Sequence, residues 1–152
     1  VIPNADLPAL GERPPADQSS LNIGATLGAR YDPPSVSVHA EYLVSIHEKL
    51  SIFEEKQAVH PGYLLRRANL VLRENVLLGP WIHVESWIWN LRSLSVEESI
   101  TTRALVTDNF ERKGHRFVDL DISILAQDTY PICRIKHRSI YLPRQMRADI
   151  PQ

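Results

Sequence analysis

The sequence has little of what would stabilise or arm a small protein covalently. Cys133 is the only cysteine in 152 residues, so no intrachain disulfide can form and no cysteine cluster can hold zinc. That usage fits a reducing, cytoplasmic compartment. No apolar run approaches the roughly 18 residues a membrane span needs, so no membrane partner is expected. The chain begins Val1-Ile2-Pro3-Asn4, with neither an initiator Met nor the basic start and apolar core of a signal peptide. A trimmed natural N-terminus is expected. An excess of one charge is missing too: 17 basic and 18 acidic residues leave a net charge of −1. A duplex binder carries a basic excess, so nucleic acid is not an expected partner. The histidines, His39, His47, His60, His83, His115 and His137, are too scattered to build a metal site.

What is present suits one core: 43% hydrophobic and 23% charged residues are the ordinary globular mix. Residues 1–35 carry Pro3, Pro8, Pro14, Pro15, Pro33 and Pro34 with little apolar periodicity. They predict an extended arm whose first ~20 residues are disordered. Residues 36–146 are expected as a single domain and 147–152 as a C-terminal tail. Tyr42, Ile46 and Leu50 recur every four residues, which predicts a helix over 38–50 with Ser37 as its cap. Ser51 to Val59 reads as a short connection that packs Ile52 and Phe53.

A second helix is expected over 61–76. Pro61 suits its first position, where the missing N–H has no partner anyway. Leu64, Leu65, Ala68, Val71, Leu72 and Val76 cover most of its circumference, so it should be buried on several sides. Gly79-Pro80 stops it. Four strands follow, over 81–91, 99–110, 116–126 and 131–142, with a turn at Lys113-Gly114. In the first, Trp81, His83, Glu85, Trp87 and Trp89 alternate with Ile82, Val84, Ser86 and Ile88. In the third, Val118, Leu120, Ile122, Ile124 and Ala126 face inward. Successive strands argue for an antiparallel meander. The class is therefore α+β, and one apolar helix followed by long antiparallel strands is the plan of the hotdog fold, a sheet wrapped around a long central helix. The edges and the tryptophan-bearing surface of such a sheet predict a homodimer or higher homo-oligomer.

Three segments add a resemblance: His60-Pro61-Gly62, Ser86-Trp87-Ile88-Trp89-Asn90-Leu91 and Val96-Glu97-Glu98-Ser99-Ile100. On these, residues 42–144 resemble the MaoC-like acyl-CoA hydratases/dehydratases of the hotdog superfamily. Where that family usually has a hydrophobic residue and Gly-Asp, this chain has Glu97-Glu98. Residues 109–117 and 137–141 resemble an uncharacterised subgroup. The resemblance implies addition of water to an enoyl thioester, or its reversal, with coenzyme A entering as part of the substrate and no separate cofactor. The family uses an Asp and a His five residues later to move the proton, and a backbone N–H at the helix start to polarise the thioester carbonyl. Two registers are open here. One aligns Glu48 with the acid and puts Phe53 at the His position; the other aligns Glu55 and His60.

The candidate catalytic residues are thus His60, Glu48 and Glu55, and the candidate substrate-binding residues are Gly62, Tyr63 and Asn69. Each has a plainer reading. His60 can fix a turn, Glu48 and Glu55 can be solvated carboxylates, and Asn69 can tie the helix to a strand. Arg134, Lys136 and Arg138, with Arg112, Lys113 and Arg116, suit coenzyme A phosphates or a solvated sheet face. Trp81, Trp87 and Trp89 suit an acyl tunnel or a dimer interface. Two further functions stay open: an acyl-CoA thioesterase, or a non-catalytic acyl- or partner-binding module that has lost the dyad.

Overall fold

The computed structural model describes residues 1–149. Its centre is the helix α3, Pro61–Asn75, which packs against the strands β1 (Thr26–Asp32), β3 (Ile100–Arg112) and β5 (Tyr130–Leu142). Ala68, Val71 and Leu72 are fully buried, and each such Val or Leu contributes about 1.5–3 kcal/mol by leaving water. The facing surface comes from period-two alternation. Thr102, Ala104 and Val106 of β3 pair with Ile124, Ile122 and Leu120 of β4 (His115–Ala126), and all six are buried.

All pairings between strands are antiparallel, in the order β1-β3-β4-β5-β2, where β2 is Ile82–Asn90. The expected meander holds only for β3-β4-β5. The strand that follows α3 pairs at the far side of β5, and β1 closes the opposite edge. β1 corrects the assignment of residues 26–32 to the arm. The remainder of the arm is held in place rather than disordered. Ala29 N–H bonds to Ala5 C=O, Ala16 N–H to Leu77 C=O and Leu77 N–H to Pro14 C=O, and Asn109 Nδ2 donates to Leu21 C=O. Gly28 is required where the arm crosses β1, because a Cβ there would run into the backbone of Asp6 and Leu7. Asn75, at the end of α3, clamps the same glycine through Gly28 N–H (2.6 Å) and Gly28 C=O (2.9 Å).

Helix α1 spans Val36–Ser45, not 38–50, and its cap is Ser35, whose Oγ accepts from Val38 N–H. His47 ends it in the left-handed region at φ 55°. His47 N–H bonds to Val44 C=O and Glu48 N–H to Leu43 C=O, which is a Schellman motif built without glycine. Ile46 and Leu50 consequently lie exposed, and His39, Tyr42 and Leu43 form the buried face. The connection that follows contains one helical turn, α2 (Ile52–Glu55), closed the same way by left-handed Gln57. The expected tail opens inside a 3₁₀ stretch, Arg144–Asp149, and its residues 150–152 lie outside the described residues.

β2 carries the other correction. A bulge between His83 and Glu85 turns His83 onto the face of Ser86, opposite the tryptophans. Glu85, Trp87 and Trp89 pair with Arg138, Lys136 and Arg134 on the outer surface. His83 stacks on His137 of β5, with ring centroids 4.6 Å apart.

Candidate functional site

Two left-handed reversals, at His47 and Gln57, return the chain twice between α1 and α3. Their result is a meeting of Glu48, which follows α1, with His60, which caps α3: Glu48 Oε2 lies 3.4 Å from His60 Nε2. Both side chains are about one-fifth exposed, at 19% and 21%. Glu48 Oε1 accepts the N–H groups of Leu50 (2.9 Å) and Lys49 (2.8 Å). The Leu50 N–H, then that of Lys49 and the neighbouring imidazole hold the Glu48 carboxyl below the usual glutamate range, against the opposing effect of desolvation. Glu48 is therefore a carboxylate at neutral pH.

The imidazole of His60 is fixed from both sides. Its Nδ1 accepts the Gly62 N–H at 2.9 Å, so the ring proton of the neutral form sits on Nε2 and faces Glu48. Phe53 packs on the ring at 4.7 Å between centroids. The residue that stands at the family's His position in one register thus lies against the histidine of the other. Behind the ring, His39 Nε2 accepts the His60 N–H at 2.8 Å. His39 is buried, and desolvation first, with His60 second, lowers its pKa. Tyr63 N–H bonds to His60 C=O. The first donors of α3 are therefore all in use within the protein.

This bears directly on Gly62. Its N–H, the expected oxyanion donor, is given to His60 Nδ1 rather than left free. The glycine also has a steric reason, since a Cβ there would meet Tyr42 Oη. Tyr63 stands in an aromatic cluster, edge-on to Tyr42 (5.3 Å) and to His39 (5.5 Å). Asn69 is half-buried on α3 with its Oδ1 enclosed and unbonded. Glu55 is exposed on α2, and its carboxylate makes no ion pair among the described residues. The structure brings together Glu48, His60, Gly62 and Tyr63, and leaves Glu55 and Asn69 apart from them. Sequence reasoning passed over His39 and Tyr42. Their three-residue spacing on a helix that precedes His60 was the available signal.

A groove of about 800 Å³ runs between α2, the start of α3 and the end of β2; Glu48 and His60 do not line it, and Phe53, which packs on His60, stands between them and it. Phe53, Val59, Pro61, Leu64, Leu91 and Leu94 make it largely apolar. The arginines of β5 are committed elsewhere: Arg134 to Asp121, and Arg138 to Asp119 and Glu85.

No protein-family model matches the sequence, and no curated protein does. Solved structures do. The (R)-hydratase from A. caviae involved in PHA biosynthesis superposes with a TM-score of 0.66 at 14% identity, over 80% of this chain and 97% of that one. A hot-dog-like protein from Thermanaerovibrio acidaminovorans gives 0.61 at 14%, over 87% and 91%. The chain has the hotdog fold. The MaoC-like dehydratase from Rhodospirillum rubrum shares that fold with a TM-score of 0.63 at 9% identity, over 82% of this chain and 96% of that one. Identities this low establish the α+β hotdog architecture, and the chemistry has to be argued from the residues of this hotdog itself. Among the described residues no helix is long and apolar enough to cross a membrane.

Proposed function

We propose that this hotdog hydrates an enoyl thioester or dehydrates its 3-hydroxy counterpart, with coenzyme A as part of the substrate. The observation that supports it is the Glu48–His60 pair at 3.4 Å, placed at the start of the central helix and separated from an apolar groove by the Phe53 ring. The acyl chain occupies that groove. A water held against both side chains gives a proton to the Glu48 carboxylate as its oxygen adds to C3, while His60 Nε2–H donates a hydrogen bond to that oxygen. The proton then passes from Glu48 to C2, which restores the carboxylate and leaves His60 with its own proton. The thioester oxygen takes the Gly62 N–H, which requires His60 Nδ1 to give it up. Binding at the carbonyl thus releases the imidazole from its resting bond. A second copy, paired along the free edge of β2, covers the exposed Ile82, Val84 and Ile88 and walls the groove.

A specific observation favours a second reading. The engaged Gly62 N–H and the Phe53 ring on His60 suit a non-catalytic module that binds an acyl group without turning it over. Hydration of crotonyl-CoA, followed by loss of enoyl absorbance, separates the two. Turnover is expected in the wild type, lost in His60→Ala and Glu48→Gln and kept in Glu55→Gln. Thermal stabilisation by acyl-CoA with no turnover at any chain length selects the binding module. Release of free thiol without hydration selects a thioesterase.

A further inference from the structure

A second cavity, of about 390 Å³, opens between β1, α1 and α3. Arg30 and Asp32 come from β1, Tyr42 from α1, and Tyr63, Arg66 and Arg67 from α3. Neither Glu48 nor His60 lines it. Arg67 is only 4% exposed, yet its guanidinium is poorly used. It stacks on the Tyr63 ring at 3.8 Å, and its Nε approaches Asp32 Oδ2 at 3.2 Å. That Nε makes no hydrogen bond, and the guanidinium donates none elsewhere among the described residues. Of its nitrogens only Nε is enclosed without a hydrogen bond, and the terminal nitrogens, with no protein partner among the described residues, remain accessible to a ligand.

The neighbouring acids do not account for them. Asp32 is already gripped by Arg30, whose Nε donates to both carboxylate oxygens and whose second terminal nitrogen donates to Oδ1 at 2.7 Å. Glu74 is paired with the remaining Arg30 nitrogen. Arg66 is exposed and has no ion pair among the described residues. One further carboxylate lines the cavity, Glu41, itself exposed on α1 and unpaired. A stacked guanidinium with free nitrogens, a second guanidinium beside it and the two tyrosines make a receptor for a planar or tetrahedral oxyanion.

We propose that this cavity is an oxyanion-binding site for a carboxylate- or phosphate-bearing small molecule. Arg67 is its buried fork, and Arg66 its outer clamp. The site stands apart from the thioester reading, because its occupancy is read with simple anions and needs no turnover. Isothermal calorimetry at low ionic strength, with inorganic phosphate and separately with succinate, tests it. Saturable binding of at least one anion is expected. Arg66→Gln and Arg67→Lys should each weaken it by about tenfold or more, the worth of a lost charge-assisted hydrogen bond. Arg134→Gln, a comparable loss of charge on the outer sheet, should leave it unchanged. Tighter binding of phosphate marks a phosphorylated ligand, and tighter binding of succinate a carboxylate. Should Arg67→Lys fail to fold, the exposed Arg66→Gln still decides. The absence of saturable heat from both anions, or unchanged affinity in Arg66→Gln, overturns the proposal.

Discussion

His137 should make this hotdog lose stability as the pH falls through the range of an ordinary histidine. It is 2% exposed, between Ser86 Oγ at 2.9 Å from its Nδ1 and Ser139 Oγ at 3.1 Å from its Nε2. A neutral imidazole, one nitrogen donating and one accepting, satisfies both serines. A protonated one must donate to both, so Ser86 must turn its own proton toward His83 Nε2, 3.0 Å away. Desolvation first, then the nearby His83, push the His137 pKa down to about 4, with Asp119 opposing. Above the unfolded value of about 6.5, folded and unfolded chains are both neutral and nothing is lost. Below it the unfolded chain takes up a proton that the folded one refuses, and stability falls until the pH reaches about 4. A separation of that size amounts to about 3 kcal/mol at most, at 1.36 kcal/mol per pH unit.

Urea titrations followed by tryptophan fluorescence, at a series of pH values across that window, measure this. Wild type should lose stability steadily on acidification, and His137→Gln should lose less, so the difference between them closes as the pH drops. His39, also lowered by burial, and the carboxylates held down by Arg92 and Arg103, Glu98 and Asp128, contribute in both proteins and cancel in the difference. Parallel curves for the two proteins would refute the claim that His137 is buried in its neutral form.

Two further outcomes follow from the packing. Gly62→Ala places a methyl against Tyr42 Oη, which should cost about 1–3 kcal/mol as an overpacked core does. Adding Tyr42→Phe should recover part of it in the same urea assay, and an unchanged midpoint in Gly62→Ala would show that the ring yields freely. The open edge of β2, with Ile88 and Trp89 exposed, should pair with a second copy. Light scattering should then give a dimer mass that falls to the monomer in Ile88→Lys, and a wild-type monomer would refute the pairing.

What could be read from the sequence was whatever rests on periodicity alone. α3 declared itself through its near-continuous apolar surface, and β3 and β4 through alternation that has no interruption over Thr102–Val106 and Leu120–Ile124. The parts that escaped each depend on a local departure from a period. β1 is short and carries Gly28, which serves the crossing arm rather than the sheet. α1 stops before His47, which takes positive φ without being glycine, and its Schellman bonds and the burial of Leu43 compensate. His83 changes face at a bulge, and a single inserted residue reverses everything upstream of it.

The candidate site shows the same limit more sharply. Both possible alignments were built on a five-residue spacing, yet the carboxylate and the imidazole that meet are twelve residues apart in the chain, Glu48 from one alignment and His60 from the other. What joins them is a pair of reversals whose left-handed residues, His47 and Gln57, carry no compositional mark. Proximity of an acid and a base is a property of the folded loop, so it can be kept while the motif that usually encodes it is lost. The bond between Gly62 N–H and His60 Nδ1 is equally beyond a sequence, because it depends on a side-chain rotation. That bond ties the two groups to each other: a carbonyl oxygen that claims the N–H must also set free the ring. On the proposed thioester reading, oxyanion binding and release of the histidine would therefore be one event, and a ligand that cannot accept from Gly62 would leave His60 where it is.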